Sequence, residues 1–123
     1  MRYIIILKGT QPAGPPPEGL MEAIMGLGAE ATASGSMIEN AGLAPSATGA
    51  QVTVAAGELS VMDGPFAEAK EYISYAIYDV RSKEEAVEWA SRFMQLHVDR
   101  WPGWEGTSDV VKIFGPEDFA PPQ

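Results

Sequence analysis

Two stretches of this chain carry apolar side chains on both alternating faces. Residues 2–8, Arg2-Tyr3-Ile4-Ile5-Ile6-Leu7-Lys8, are rich in β-branched and aromatic residues and predict a strand. Tyr3, Ile5 and Leu7 share one face of it, and Ile4 and Ile6 share the other. Residues 72–78, Tyr-Ile-Ser-Tyr-Ala-Ile-Tyr, repeat the pattern and form the strongest predicted strand. A strand apolar on both faces has to be covered on both. Between the two, Leu20, Ile24, Leu27 and Ala31 recur at helical spacing and predict a helix over 18–34, ended by Gly35. Gly26 and Gly28 weaken that helix by about 1 kcal/mol each relative to alanine, and they allow it to lie close against a sheet.

Residues 9–17 hold prolines and glycines and predict a loop. A second strand is expected at 36–40 and a loop at 42–50. Residues 51–55 and 58–62 flank Ala56-Gly57 and predict a tight hairpin. Ser82 and Glu85 form a capping box, opening a helix that runs to about residue 96 with Ala86, Ala90, Phe93 and Met94 on one stripe. A loop at 97–106 holds Trp101 and Trp104. The last strand is expected at 108–114, and a Pro-rich tail follows.

The order is strand, helix, strand, hairpin, strand, helix, strand. Without the hairpin this is the split β-α-β arrangement of ferredoxin-like α+β folds, in which both helices cover one sheet face. The other face also needs cover. A second copy of the same sheet is the simplest candidate, because large exposed apolar patches are rare on monomers. The tail or the Trp101–Trp104 loop is the alternative cover. The expectation is one domain over residues 1–115, a tail over 116–123, and a homodimer.

Composition narrows the functional classes. Eight basic and seventeen acidic residues give a net charge of -9, and no basic cluster is visible. Nucleic-acid binding is therefore not expected. The apolar run at the start is too short for a membrane span or a signal sequence, so a cytoplasmic location is expected. One histidine and no cysteine leave no zinc set. Phosphate loops and nucleophile elbows are absent, and no cofactor is expected.

The segment with the densest chemistry is Asp63-Gly64-Pro65-Phe66-Ala67-Glu68-Ala69-Lys70-Glu71, between the hairpin and the long strand. With Gly42-Leu43-Ala44-Pro45 before it and Ser82-Lys83-Glu84-Glu85-Ala86 after it, it resembles the DGPF group of YCII-related proteins. The resemblance spans nearly the whole chain and implies a dimeric α+β barrel built from ferredoxin-like subunits. Some members of that group are encoded beside extracytoplasmic-function sigma factors, which implies a regulatory context and a sigma factor as a possible protein partner. The wider superfamily has a proposed His-Asp enzymatic pair with its histidine on the first helix. Residues 18–34 contain no histidine here, so that pair does not carry over. A Glu-x-Arg step usual in the group's last strand is matched by Asp109 and Val111, which lack the arginine.

Two roles fit Asp63. In a cleft it is a general base or a ligand anchor; before Gly-Pro it is a turn cap that accepts backbone N–H groups. His97 is the second catalytic candidate, a group that titrates near neutrality; its plainer reading is a residue that ends a helix. Phe66, Lys70, Glu71, Tyr75 and Glu39 are ligand-binding candidates, each with a structural alternative: surface charge for Lys70, Glu71 and Glu39, core or interface for Phe66 and Tyr75. Trp101 and Trp104 either line a pocket or cover a sheet edge. Two functions follow: a dimeric interaction or regulatory module, or a small-molecule-binding protein or enzyme using acid–base chemistry near Asp63.

Overall fold

The structure is a computed structural model that describes residues 1–10, 15–66 and 70–119. Parts of three expected segments lie outside those residues: the Pro-rich loop at 11–14, the connector at 67–69 and the end of the tail at 120–123. Strands β1 (Arg2–Gly9), β2 (Met37–Gly42), β3 (Ala50–Ala55), β4 (Glu58–Asp63), β5 (Glu71–Asp79) and β6 (Gly106–Lys112) alternate with helices α1 (Glu18–Ala33) and α2 (Lys83–Arg100). Four strands form one sheet in the order β2-β5-β1-β6, and β3 and β4 form a separate two-stranded sheet. The four-stranded sheet is antiparallel throughout. This is the ferredoxin-like α+β arrangement, with the hairpin inserted between its second and third strands.

The two-faced pattern places β1 and β5 at the centre. Tyr3, Ile5 and Leu7 are buried beneath the helices. Tyr3 lies opposite Tyr78, and Ile5 opposite Ala76 and Val110. Ala31 of α1 and Ala86 and Ala90 of α2 close over them. Small residues at those helix positions bring the helix axes close to the sheet. Tyr78 stacks on Trp89 at 5.6 Å between centroids, and the Arg92 guanidinium lies 4.9 Å from the centroid of that indole. Arg92 also pairs with Glu30 at 2.5 Å, joining α2 to α1. Helix α1 ends in paired turns, with Ser36 N donating to Ala31 O and Gly35 N to Thr32 O.

Several boundaries differ from the sequence pattern, each for a tertiary reason. Strand β2 runs on to Gly42 because its register with β5 continues to Gly42 opposite Ser74, past an irregularity at Ile38. Helix α2 continues to Arg100, so His97 sits in its last turn rather than in the loop. Strand β6 starts at Gly106 because Gly106 pairs with Gly9. That glycine pair seats the Trp104 indole. A Cβ at Gly9 would lie 2.9 Å from the Trp104 ring, and one at Gly106 would overlap it. The tail folds on itself: Asp118 accepts from Gly115 N at 2.7 Å, and Phe119 packs edge-on to Phe114.

The capping box is present in a shifted form. Ser82 Oγ accepts from Glu85 N at 3.2 Å, while Glu85 reaches back to Arg81 N at 2.9 Å. Replacing Ser82 with alanine should destabilise the fold by about 1 kcal/mol, read as a lower urea midpoint with an unchanged slope.

Candidate functional site

The conspicuous hollow lies between the helix layer and the sheet. It is open to solvent and spans about 1110 Å³, just above the range of about 300–1,000 Å³ typical of small-molecule sites. Its wall is built from Leu20, Ile24 and Met25 of α1, Ser74 and Ala76 of β5, and Phe93 and His97 of α2, with Trp101 and Trp104 at one end. Among the described lining residues there is no Asp, Glu, Lys or Arg. Helix α1 presents Met21 and Met25 here, the flexible thioether side chains that adapt to irregular ligands.

Besides Thr32, Asn40 and Ser74, the polar side chains of this wall include His97 and Trp104 at its aromatic end. His97 is 4% exposed. Its Nδ1 lies 2.9 Å from Phe93 O, which assigns the proton to Nδ1 and leaves Nε2 as an acceptor. The ring packs edge-on against Phe93 at 4.9 Å and tilted on Trp104 at 4.6 Å; Trp104 in turn stacks on Trp101 at 5.8 Å. Burial pushes the His97 pKa below its ordinary 6.5, against the opposing bond to Phe93 O. The helix C-terminus favours a cation at this position, but loss of solvation is the larger effect. Trp104 Nε1 is buried with no hydrogen-bond partner among the described residues. A smaller cleft on the other side of His97 and Trp104 is bordered by Lys70 and Glu105.

The motif residues are arranged differently from a catalytic cluster. Asp63 is the last residue of β4, opposite Ala50, exposed and outside both hollows. Neither the general-base geometry nor the side-chain turn cap is seen there: among the described residues its carboxylate has no hydrogen bond or ion pair. Gly64, Phe66 and Glu71 instead build a clasp around Ser46. Glu71 accepts from Ser46 Oγ at 2.9 Å and from Ser46 N at 3.1 Å; Ser46 Oγ accepts from Phe66 N at 3.2 Å; Gly64 N donates to Gly49 O at 2.8 Å. A Cβ on Gly64 would fall on Ser46 O. The Gly64–Pro65 bond is cis.

The remaining candidates separate. Lys70 and Glu71 diverge, and Lys70 Nζ donates to Thr107 Oγ1 at 3.0 Å. Glu39 and Tyr75 are brought together across the β2–β5 pairing. Burial, then the Glu39 charge and its hydrogen bond, raise the Tyr75 pKa above 10.0. Among the named candidates, His97, Trp101 and Trp104 line the large hollow, whereas Tyr75 borders it through its strand and alternates with Ser74 and Ala76, which puts its ring on the other sheet face with Ile6. Phe66 packs beside Gly49 in the clasp. Ser46 is the residue that sequence reasoning missed: it lay in a stretch read only as loop, and its signal was a serine behind Pro45 at the start of a short 3-10 turn.

A ferredoxin-like α+β chain with an inserted hairpin and a hollow between its layers is the class this geometry defines. The chain belongs to the YCII-related domain family, whose family model matches residues 1–94. The matched region includes the Ser46 clasp and ends within α2. His97, Trp101 and Trp104, which close one end of the hollow, lie beyond it. A comparison with curated proteins found no match.

Two outcomes check this description. Gly64→Ala should cost about 1–3 kcal/mol through overpacking against Ser46 O, measured by urea denaturation. His97 should make stability fall as pH drops from about 7.5 to 5.5. The unfolded chain takes up a proton near pH 6.5, whereas the folded chain does so only at lower pH. His97→Gln should remove that component of the slope in urea midpoints measured across this window, which lies above most carboxylate titrations.

Proposed function

We propose that this protein binds a neutral, largely apolar small molecule in the hollow between its helices and its sheet. The observation that carries the reading is the pairing of a roughly 1110 Å³ cavity, with no charged side chain among its described lining residues, with a buried Trp104 Nε1 that has no hydrogen-bond partner among the described residues. A buried donor without a partner costs about 1–3 kcal/mol. A ligand carbonyl or hydroxyl oxygen accepting from that N–H would recover it. Neutral His97 offers an acceptor nearby, which suits a hydroxyl better than an anion. An anionic ligand would lose its hydration with no cation in the wall to compensate. Acid–base chemistry at Asp63 has less support, because that carboxylate lies at the exposed foot of the hairpin rather than in a hollow.

An interaction or regulatory role is the second reading, favoured by the exposed apolar hairpin. A sigma factor as its partner rests on the family resemblance alone; co-purification of one in stoichiometric amount would support it.

Binding is tested with N-phenyl-1-naphthylamine, a neutral apolar fluorophore, and its anionic sulfonate analogue. The neutral probe should bind saturably and quench tryptophan emission, with the sulfonate at least about tenfold weaker. Gly28→Leu, placed on the cavity wall, should weaken the neutral probe by a similar factor without changing the far-ultraviolet circular dichroism. Equal binding of both probes, or indifference to Gly28→Leu, would sink the reading.

A further inference from the structure

The exposed part of the hollow's wall lies along one line. Among the described lining residues, those open to solvent belong to the prolines before α1, to α1 itself and to the edge strand β2. The lining residues of β1, β5 and α2 are buried or half-buried. The mouth of the hollow therefore runs between α1 and β2.

Two thioethers stand on that mouth. Met21 is 43% exposed and Met25 71% exposed, and their spacing of four residues puts them on one face of α1, a turn apart. The other methionines are placed differently. Met37 packs against the core. Met94 is half-buried, and its sulfur accepts from Ser108 Oγ at 3.1 Å. Met1 and Met62 are exposed but line neither hollow. The chain has no cysteine, so thioethers are the only sulfur groups an oxidant meets. Those at the mouth combine solvent access with contact to the hollow.

We propose, on the reading that the hollow binds an apolar molecule, that Met21 and Met25 form an oxidation site controlling entry to it: a hydroperoxide converts both to sulfoxides, and the ligand is then excluded. The sulfur lone pair attacks one peroxide oxygen. The S–O bond forms as the O–O bond breaks, and the proton on the transferred oxygen passes to the departing one. Sulfur is oxidised by two electrons, and the peroxide is reduced to water or an alcohol. The product turns a flexible apolar side chain into a polar one. Seating an apolar molecule against that rim would strip water from the sulfoxide oxygens, and no Lys or Arg among the described lining residues replaces it. The change is reversible, because methionine sulfoxide reductases remove the oxygen, one enzyme for each epimer.

The test uses hydrogen peroxide as oxidant and N-phenyl-1-naphthylamine as probe. Peptide mass spectrometry should show one added oxygen at Met21 and at Met25 before Met37 or Met94 reacts. Probe affinity should by then have fallen at least about tenfold, with the far-ultraviolet circular dichroism unchanged. Incubation with both reductases should restore it. In Met21→Leu/Met25→Leu, whatever its starting affinity, peroxide should leave probe binding where it was. A further measurement needs no variant: saturating probe should slow oxidation of Met21 and Met25 severalfold, while Met62 on the hairpin reacts at its former rate. Three results overturn this proposal and leave the hollow's occupant standing: binding that survives oxidation of both residues, an equal loss in the double variant, or oxidation rates indifferent to the probe. A probe that never binds the untreated protein overturns the reading of the hollow, and this proposal with it.

Discussion

The constraint on which this architecture depends is that β1 is apolar on both faces. A strand of that kind is stable only inside a sheet and under cover on each side. Tyr3, Ile5 and Leu7 meet the helices, which fixes the sheet order around β1 and requires helix positions small enough to approach it, hence Ala31, Ala86 and Ala90. Ile4 and Ile6 on the other side have no such helix roof among the described residues. The same physical fact therefore orders the sheet and leaves an apolar face on its other side.

Between the two layers the packing is uneven. Alanines close the fold at the end near Tyr78 and Val80, while the end near Trp104 stays open. The Gly9–Gly106 pair is responsible, because it admits an indole where a strand pair would ordinarily present two side chains. Trp104 then props against His97, and Trp101 against Trp104. The hollow is the space these large rings enclose but do not fill. Its lack of charge follows from its position inside the fold, where an isolated ion would lose its hydration.

The DGPF segment works mainly as a connector. Glu71 and Ser46 bind the foot of the hairpin to the start of β5, and Gly64 is the residue that allows the close approach. A sequence that suggested catalysis thus serves to hold the hairpin against β5. Asp63, the acid that draws the eye, stands exposed at the foot of that hairpin.

Local periodicity determined the elements. Alternation marked β1, β5 and the hairpin, three- and four-residue spacing marked both helices, and Ser82 with Glu85 marked the start of the second. Ala56-Gly57, both at positive φ, marked the turn. These are legible because they depend on neighbours within a few residues. The Ser46–Glu71 clasp, the glycine seat beneath Trp104 and the meeting of Glu39 with Tyr75 were not. Each joins residues far apart in the chain, whose proximity exists only once strand order and register are set. Whether a tryptophan covers an edge or walls a cavity depends on what lies behind it, and only the tertiary structure put a hollow there.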